Sequence, residues 1–91
     1  MTKAERRDAI CAEVVRLMGD ERKRRKLSKN KVSYLTGLNQ STVSRIENYH
    51  DNPTLDSLLR VADVLEINLG EILKRAIQTV DKGRRRSASS D

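Results

Sequence analysis

Phenylalanine and tryptophan are absent from this chain, and two tyrosines are its only aromatic residues. Its core must therefore be aliphatic, built from Leu, Ile and Val, with little room for a cofactor. One cysteine, Cys11, excludes an intramolecular disulfide, and one histidine, His50, leaves no Cys/His cluster for zinc. No apolar run approaches the roughly 18 residues that a bilayer span needs. The N-terminus carries no signal-peptide-like apolar stretch. Membrane proteins, disulfide scaffolds and zinc fingers are excluded. Enzymes fare no better, because catalysis needs convergent groups with tuned pKa values in a pocket. Here Cys11 and His50 lie far apart, and no Gly-rich loop could cradle a phosphate. No catalytic residue, metal ligand or cofactor is expected.

What is present is charge and helix-forming periodicity in a single small domain of 91 residues. A chain of this size buries on the order of 60% of its unfolded surface. The formal net charge is +6. Residues 1–26 hold nine Lys/Arg against five Asp/Glu, residues 27–80 hold six against six, and residues 81–91 hold four against two. The excess sits at the two ends, concentrated in Arg22-Lys23-Arg24-Arg25-Lys26 and Lys82-Gly83-Arg84-Arg85-Arg86. Such patches fit either a polyanionic partner or a solvated face.

Helix signals run almost the whole length. Thr2 and Glu5 form a capping box. Behind it Ile10, Val14, Leu17 and Met18 recur at helical spacing. Cys11 and Val15 widen this stripe, which fits a partner surface or ordinary core. Gly19 lies inside the pattern, so residues 1–18 form an extension that continues or kinks into the helix ending near Lys26. Ser28 starts a short second helix that Gly37 closes, the position where a left-handed backbone is usual. Leu38 plugs inward and Asn39 caps a third helix from about Gln40 to Asn48, with Val43 and Ile46 on one face. Pro53 ends the loop that follows. Thr54 caps a fourth helix with Leu55, Leu58, Leu59, Ala62 and Leu65 inward. Asn68 and Glu71 open a fifth with Leu69, Ile72, Leu73 and Ile77 inward. The chain then turns polar, and residues 78–91 are expected to be a disordered basic tail.

The spacing within residues 29–48 is the informative part. Two short helices are joined by a turn at Gly37, with small Ser33 four residues before it and Val43 six residues after it. A small residue lets the helices cross closely, the glycine makes the sharp turn, and Val43 with Ile46 locks the second helix down. That is a helix-turn-helix, whose second helix is presented to the DNA major groove.

The stretch from Leu27 to Glu47 resembles the helix-turn-helix of the Cro and phage-repressor (XRE-type) transcriptional regulators. The resemblance extends from about Leu17 through Leu73. It takes in Arg22 before the motif, Glu47 near the end of the recognition helix, and a Pro-x-x-x-x-Leu segment from Pro53 to Leu58. It implies an all-α fold, a five-helix lambda-repressor-like DNA-binding domain over residues 19–77, here with an extended first helix.

The resemblance also implies roles. Arg22 and Glu47 form a structural ion pair between the first and the recognition helix. Gln40, Ser41, Thr42, Ser44 and Arg45 match base-facing positions; Gln can pair bidentately with adenine and Arg with guanine. Lys29, at the start of the second helix, and Asn48, Tyr49 and Asn52 after the third fall where phosphates are contacted. Lys29 replaces the Gln common in the family, and Tyr49 replaces the usual Gly.

The function expected is therefore sequence-specific DNA binding, as a repressor reading a roughly palindromic operator as a homodimer. The setting expected is the cytoplasm of a bacterial or phage system, in the nucleoid when bound to DNA. The alternative is an antitoxin or adaptor that binds another protein through the first helix.

Overall fold

A computed structural model describes residues 1–48 and 53–89, the side chains of residues 84–89 excepted. Among the described residues every regular element is helical: α1 (Lys3–Arg24), α2 (Lys29–Thr36), α3 (Gln40–Asn48), α4 (Leu55–Leu65) and α5 (Leu69–Ser89). No helix among them is long and apolar enough to cross a membrane.

The capping signals do their expected work. Thr2 N–H donates to Glu5 Oε1 at 3.0 Å, and Glu5 N–H donates to Thr2 Oγ1 at 3.1 Å. Ser28 Oγ accepts from Lys31 N–H at 3.0 Å, and Thr54 Oγ1 accepts from Ser57 N–H at 3.1 Å. Asn68 Oδ1 accepts from Glu71 N–H at 3.1 Å. Each satisfies an N–H that the first turn of a helix leaves without an internal partner.

Two helices end on unusual residues. Lys26 and Glu66 both take left-handed backbone conformations, at φ 58° and 56°. Each lets the following N–H reach back to close the helix, Leu27 to Arg22 O at 3.1 Å and Ile67 to Ala62 O at 3.0 Å. Glycine usually fills such a position.

The long helices α1 and α5 run antiparallel, with Arg6 against Asp81 at one end and Arg75 near Glu21 at the other. At 1.5 Å per residue, α1 alone is about 33 Å long, which accounts for an elongated molecule of 48 × 22 × 18 Å. The helices α2, α3 and α4 pack beside the C-terminal half of α1 and the N-terminal half of α5. Val14, Leu17 and Met18 of α1 meet Val32, Val43, Val61, Ala62, Leu65, Ile72 and Ala76 in one aliphatic cluster. Ile10, Leu27, Leu38, Leu58, Ile67 and Leu69 pack around its edge.

Two open alternatives resolve, for Gly19 and Val15, and the inward placement of three leucines needs correction. α1 continues through Gly19 without interruption, so the N-terminal extension and the first helix are one element. Val15 is 3% exposed, which makes it core and removes it from any partner surface on α1. Leu55 and Leu59 are 66% and 46% exposed rather than inward. Helix α4 meets its neighbours along Leu58, Val61, Ala62 and Leu65, and the other two leucines lie one flank over. Leu73 is likewise exposed, while Ile72 and Ala76 are buried.

The tail expected from residue 78 starts too early. α5 runs to Ser89, and half-buried Asp81 extends its contact with α1 through Arg6. The Arg6 guanidinium donates twice to the Asp81 carboxylate, a tie between distant segments that the polar composition alone does not reveal.

Candidate nucleic-acid interface

The interface begins with the turn that orients α3. Gly37 has φ 77°, the left-handed value that reverses the chain without a Cβ penalty. Ser33 does more than let the helices approach, since its Oγ donates to Leu38 O at 2.5 Å across the turn. Buried Thr36 donates to Val32 O at 2.7 Å and accepts from Leu38 N–H at 3.2 Å. Arg60 of α4 reaches over to donate to Thr36 O at 3.3 Å. Asn39 Oδ1 then accepts from Thr42 N–H at 2.7 Å and starts α3. Thr36 and Arg60 were not legible as turn-holding residues. A threonine just before the glycine is a weak signal, and the contact from Arg60 is long-range.

Helix α3 is anchored from beneath by buried Val43 and Ile46. Their burial turns Gln40, Ser41, Ser44, Arg45 and Asn48 to one side, where they line a single open surface. Gln40, Ser41, Arg45 and Asn48 are exposed, and Ser44 is half-buried. Four of the five expected base-facing residues thus come together, joined by Asn48. Thr42 does not line that surface; it is half-buried with its N–H tied to Asn39.

Glu47 fixes α3 against α1. Arg22 Nε donates to Glu47 Oε2 at 2.8 Å, with side-chain exposures of 13% and 14%. Arg22 Nη1 also donates to Leu27 O at 2.8 Å, so one guanidinium ties α1, its C-terminal turn and α3 together. An ion pair this sheltered loses more when one partner is removed than an exposed pair does.

The basic run at the end of α1 is largely self-paired. Arg22 turns inward, while Arg24 Nη2 lies 2.6 Å and Arg25 Nε 3.6 Å from Glu21 Oε2. The hydrogen bond from Arg24, aided by the charges of Arg24, Arg25 and Arg75, holds the Glu21 carboxyl below its ordinary range. Lys23 and Lys26 stay exposed, close in sequence to half-buried Lys29 on the first turn of α2. The first N–H groups of α2 and the positive end of its dipole favour an anion there. Tyr49 and Asn52, the other expected phosphate contacts, lie outside the described residues, as do His50 and Asp51.

A helix pair joined by a tight glycine turn, with a polar outer face on the second helix, matches a known family. The family model described as helix-turn-helix matches residues 19–72. The chain belongs to the XRE-type helix-turn-helix family. The matched span starts at Gly19 and ends at Ile72, taking in all of α2, α3 and α4. The chain is also similar to an uncharacterized HTH-type transcriptional regulator, RC1195, of Rickettsia conorii. The two are 27% identical over 74 residues, covering 77% of this chain and 68% of the relative. No solved structure matches the chain. Family membership gives the coarse function, DNA-binding regulation of transcription.

Proposed function

We propose that this helix-turn-helix protein is a repressor that reads a roughly palindromic operator as a homodimer. The observation that carries this reading is the outward face of α3, where Gln40, Ser41, Ser44, Arg45 and Asn48 share one open surface. In the major groove Gln40 pairs with adenine and Arg45 with guanine, each good bidentate contact giving roughly 1–3 kcal/mol of discrimination. Lys29 and Asn48 contact phosphates and set the register. A single nine-residue helix reads few base pairs, and a two-fold pair of them supplies the missing selectivity. The half-site centres then lie about 34 Å apart, one turn of duplex. The protein acts in the cytoplasm, at the nucleoid.

The antitoxin or adaptor reading needs α1 as its docking surface, with Cys11 and Val15 beside the core stripe. With Val15 in the core, that surface loses its main apolar residue, and the DNA reading is preferred.

Selection of bound sequences from a randomised duplex pool tests the proposal. The expected result is an enriched, roughly two-fold symmetric consensus. Binding to it should weaken linearly with log salt, at a slope of about −0.9 per phosphate neutralised. Enrichment of no sequence, or affinity indifferent to salt, would refute DNA readout. An asymmetric consensus bound by a monomer would refute the homodimer.

A further inference from the structure

Gly19 sits in the buried interior of α1, where helix propensity alone favours alanine. Its φ is not in the left-handed region, and no turn or kink requires it. The reason for a glycine lies across the helix interface. A Cβ placed there would come 3.2 Å from Glu47 Oε1, tighter than ordinary van der Waals contact. The other carboxylate oxygen of Glu47 is the acceptor for Arg22 Nε at 2.8 Å. Arg22 is three residues further along α1, on the same face as Gly19. The carboxylate of Glu47 is thus seated on bare helix backbone with one oxygen and held by a guanidinium with the other.

We propose that Gly19 is a positioning residue for base readout. Its missing side chain is the seat that sets how closely α3 lies on α1, and so where Ser44 and Arg45 stand over the groove. This rests on the DNA reading of α3 above. An added methyl group must displace Glu47 by a few tenths of an ångström. Because Glu47 follows Arg45 by two residues on one rigid helix, the displacement passes to the reading face. A glycine that was merely tolerated would behave differently: alanine would stabilise α1 and leave readout untouched.

A cycle of Gly19→Ala, Glu47→Ala and the double variant separates these cases, using the full chain. Two quantities are read: Tm, and affinity for both the selected duplex and a random-sequence duplex of equal length. Gly19→Ala should lose about tenfold in affinity for the selected duplex and keep its affinity for the random one. In the Glu47→Ala background, where the three nearest atoms are removed, it should raise Tm by about 4 °C. In the native background the gain should be absent or reversed. Glu47→Asp, one methylene shorter, serves the same purpose should Glu47→Ala not fold. Equal Tm gains in both backgrounds, or equal losses on both duplexes, would overturn the proposal. Native protein that enriches no duplex would overturn its readout half together with the DNA reading. The thermal cycle, which needs no DNA, would still decide whether Gly19 seats α3.

Discussion

Arg6 and Asp81, 75 residues apart in sequence, form a two-pronged ion pair that joins the early part of α1 to the late part of α5. Nε donates to Oδ1 at 3.0 Å and Nη2 to Oδ2 at 3.1 Å. Both side chains are 34% exposed, so solvent screens the pair and its contribution to global stability is small. Its leverage is local. Replacing Arg6→Ala should accelerate amide exchange in α5 beyond Val80 while leaving exchange at Ile72 and Ala76 unchanged. Uniform acceleration along all of α5 would show that the pair supports the whole domain instead.

The reading face and the phosphate-facing start of α2 predict separable losses. Arg45→Ala should cost roughly 1–3 kcal/mol on the selected sequence and relax preference at one base position. Lys29→Ala should weaken binding evenly across sequences and reduce the salt slope by about 1. Competition binding against single-position variants of the selected duplex distinguishes the two. Small, equal losses on selected and random duplexes for Arg45→Ala would remove it from the base-reading set.

Thr36 holds the turn through its hydroxyl rather than its methyl. Thr36→Val keeps the shape but strands the Leu38 N–H, which now donates to Thr36 Oγ1 at 3.2 Å. A part-buried donor left without a partner costs about 1 kcal/mol, the low end of the range for buried groups. Urea denaturation should register that loss. A valine variant as stable as the native protein would leave the turn to Gly37, Ser33 and the Arg60 contact.

Glu66 occupies a left-handed helix end at φ 56°, where an L side chain is strained by about 1–2 kcal/mol. Glu66→Gly relieves the strain and adds unfolded-chain entropy, for a net gain of about 0.5–1 kcal/mol. A raised Tm checks it; a fall would mean that the Glu66 side chain makes a compensating interaction.

Two carboxyls among the described residues are held in their charged form and add to the acid sensitivity. Glu21 titrates below its ordinary range because Arg24 donates a hydrogen bond to it, and Glu5 does so because the Thr2 backbone N–H donates to it. Depressed values mean that the unfolded chain takes up protons first as pH falls. Their stabilisation is therefore complete above about pH 4.3, the usual glutamate value, and is lost as pH drops through the lower folded values. Tm should be level from about pH 7 to 5 and decline below about pH 4. Glu21→Gln should flatten part of that decline. A Tm that rises on acidification would contradict the assignment.

Much of this architecture was legible because its signals are local. Thr2, Ser28, Asn39, Thr54 and Asn68 announce helix starts through side-chain oxygens that serve nearby N–H groups, and Gly37 announces the turn. The outward face of α3 followed from two apolar positions, Val43 and Ile46. Local rules fail where packing partners decide. Leu55 and Leu59 have the right periodicity to be inward, and only the placement of the neighbouring helices shows that they are exposed. Val15 is a flank position open to either core or partner surface by periodicity alone, and packing makes it core. The reach of Arg60 to Thr36 and of Arg6 to Asp81 spans 24 and 75 residues, and no short motif records it.

The pairing of α1 with α5 has an engineering consequence. Arg6 lies thirteen residues before Gly19 in the same unbroken helix, about 20 Å along its axis. Cargo tethered beside Arg6 and Asp81 would ride at a distance from the seat of α3. The molecule is built as a rod gripped at one place and used at another.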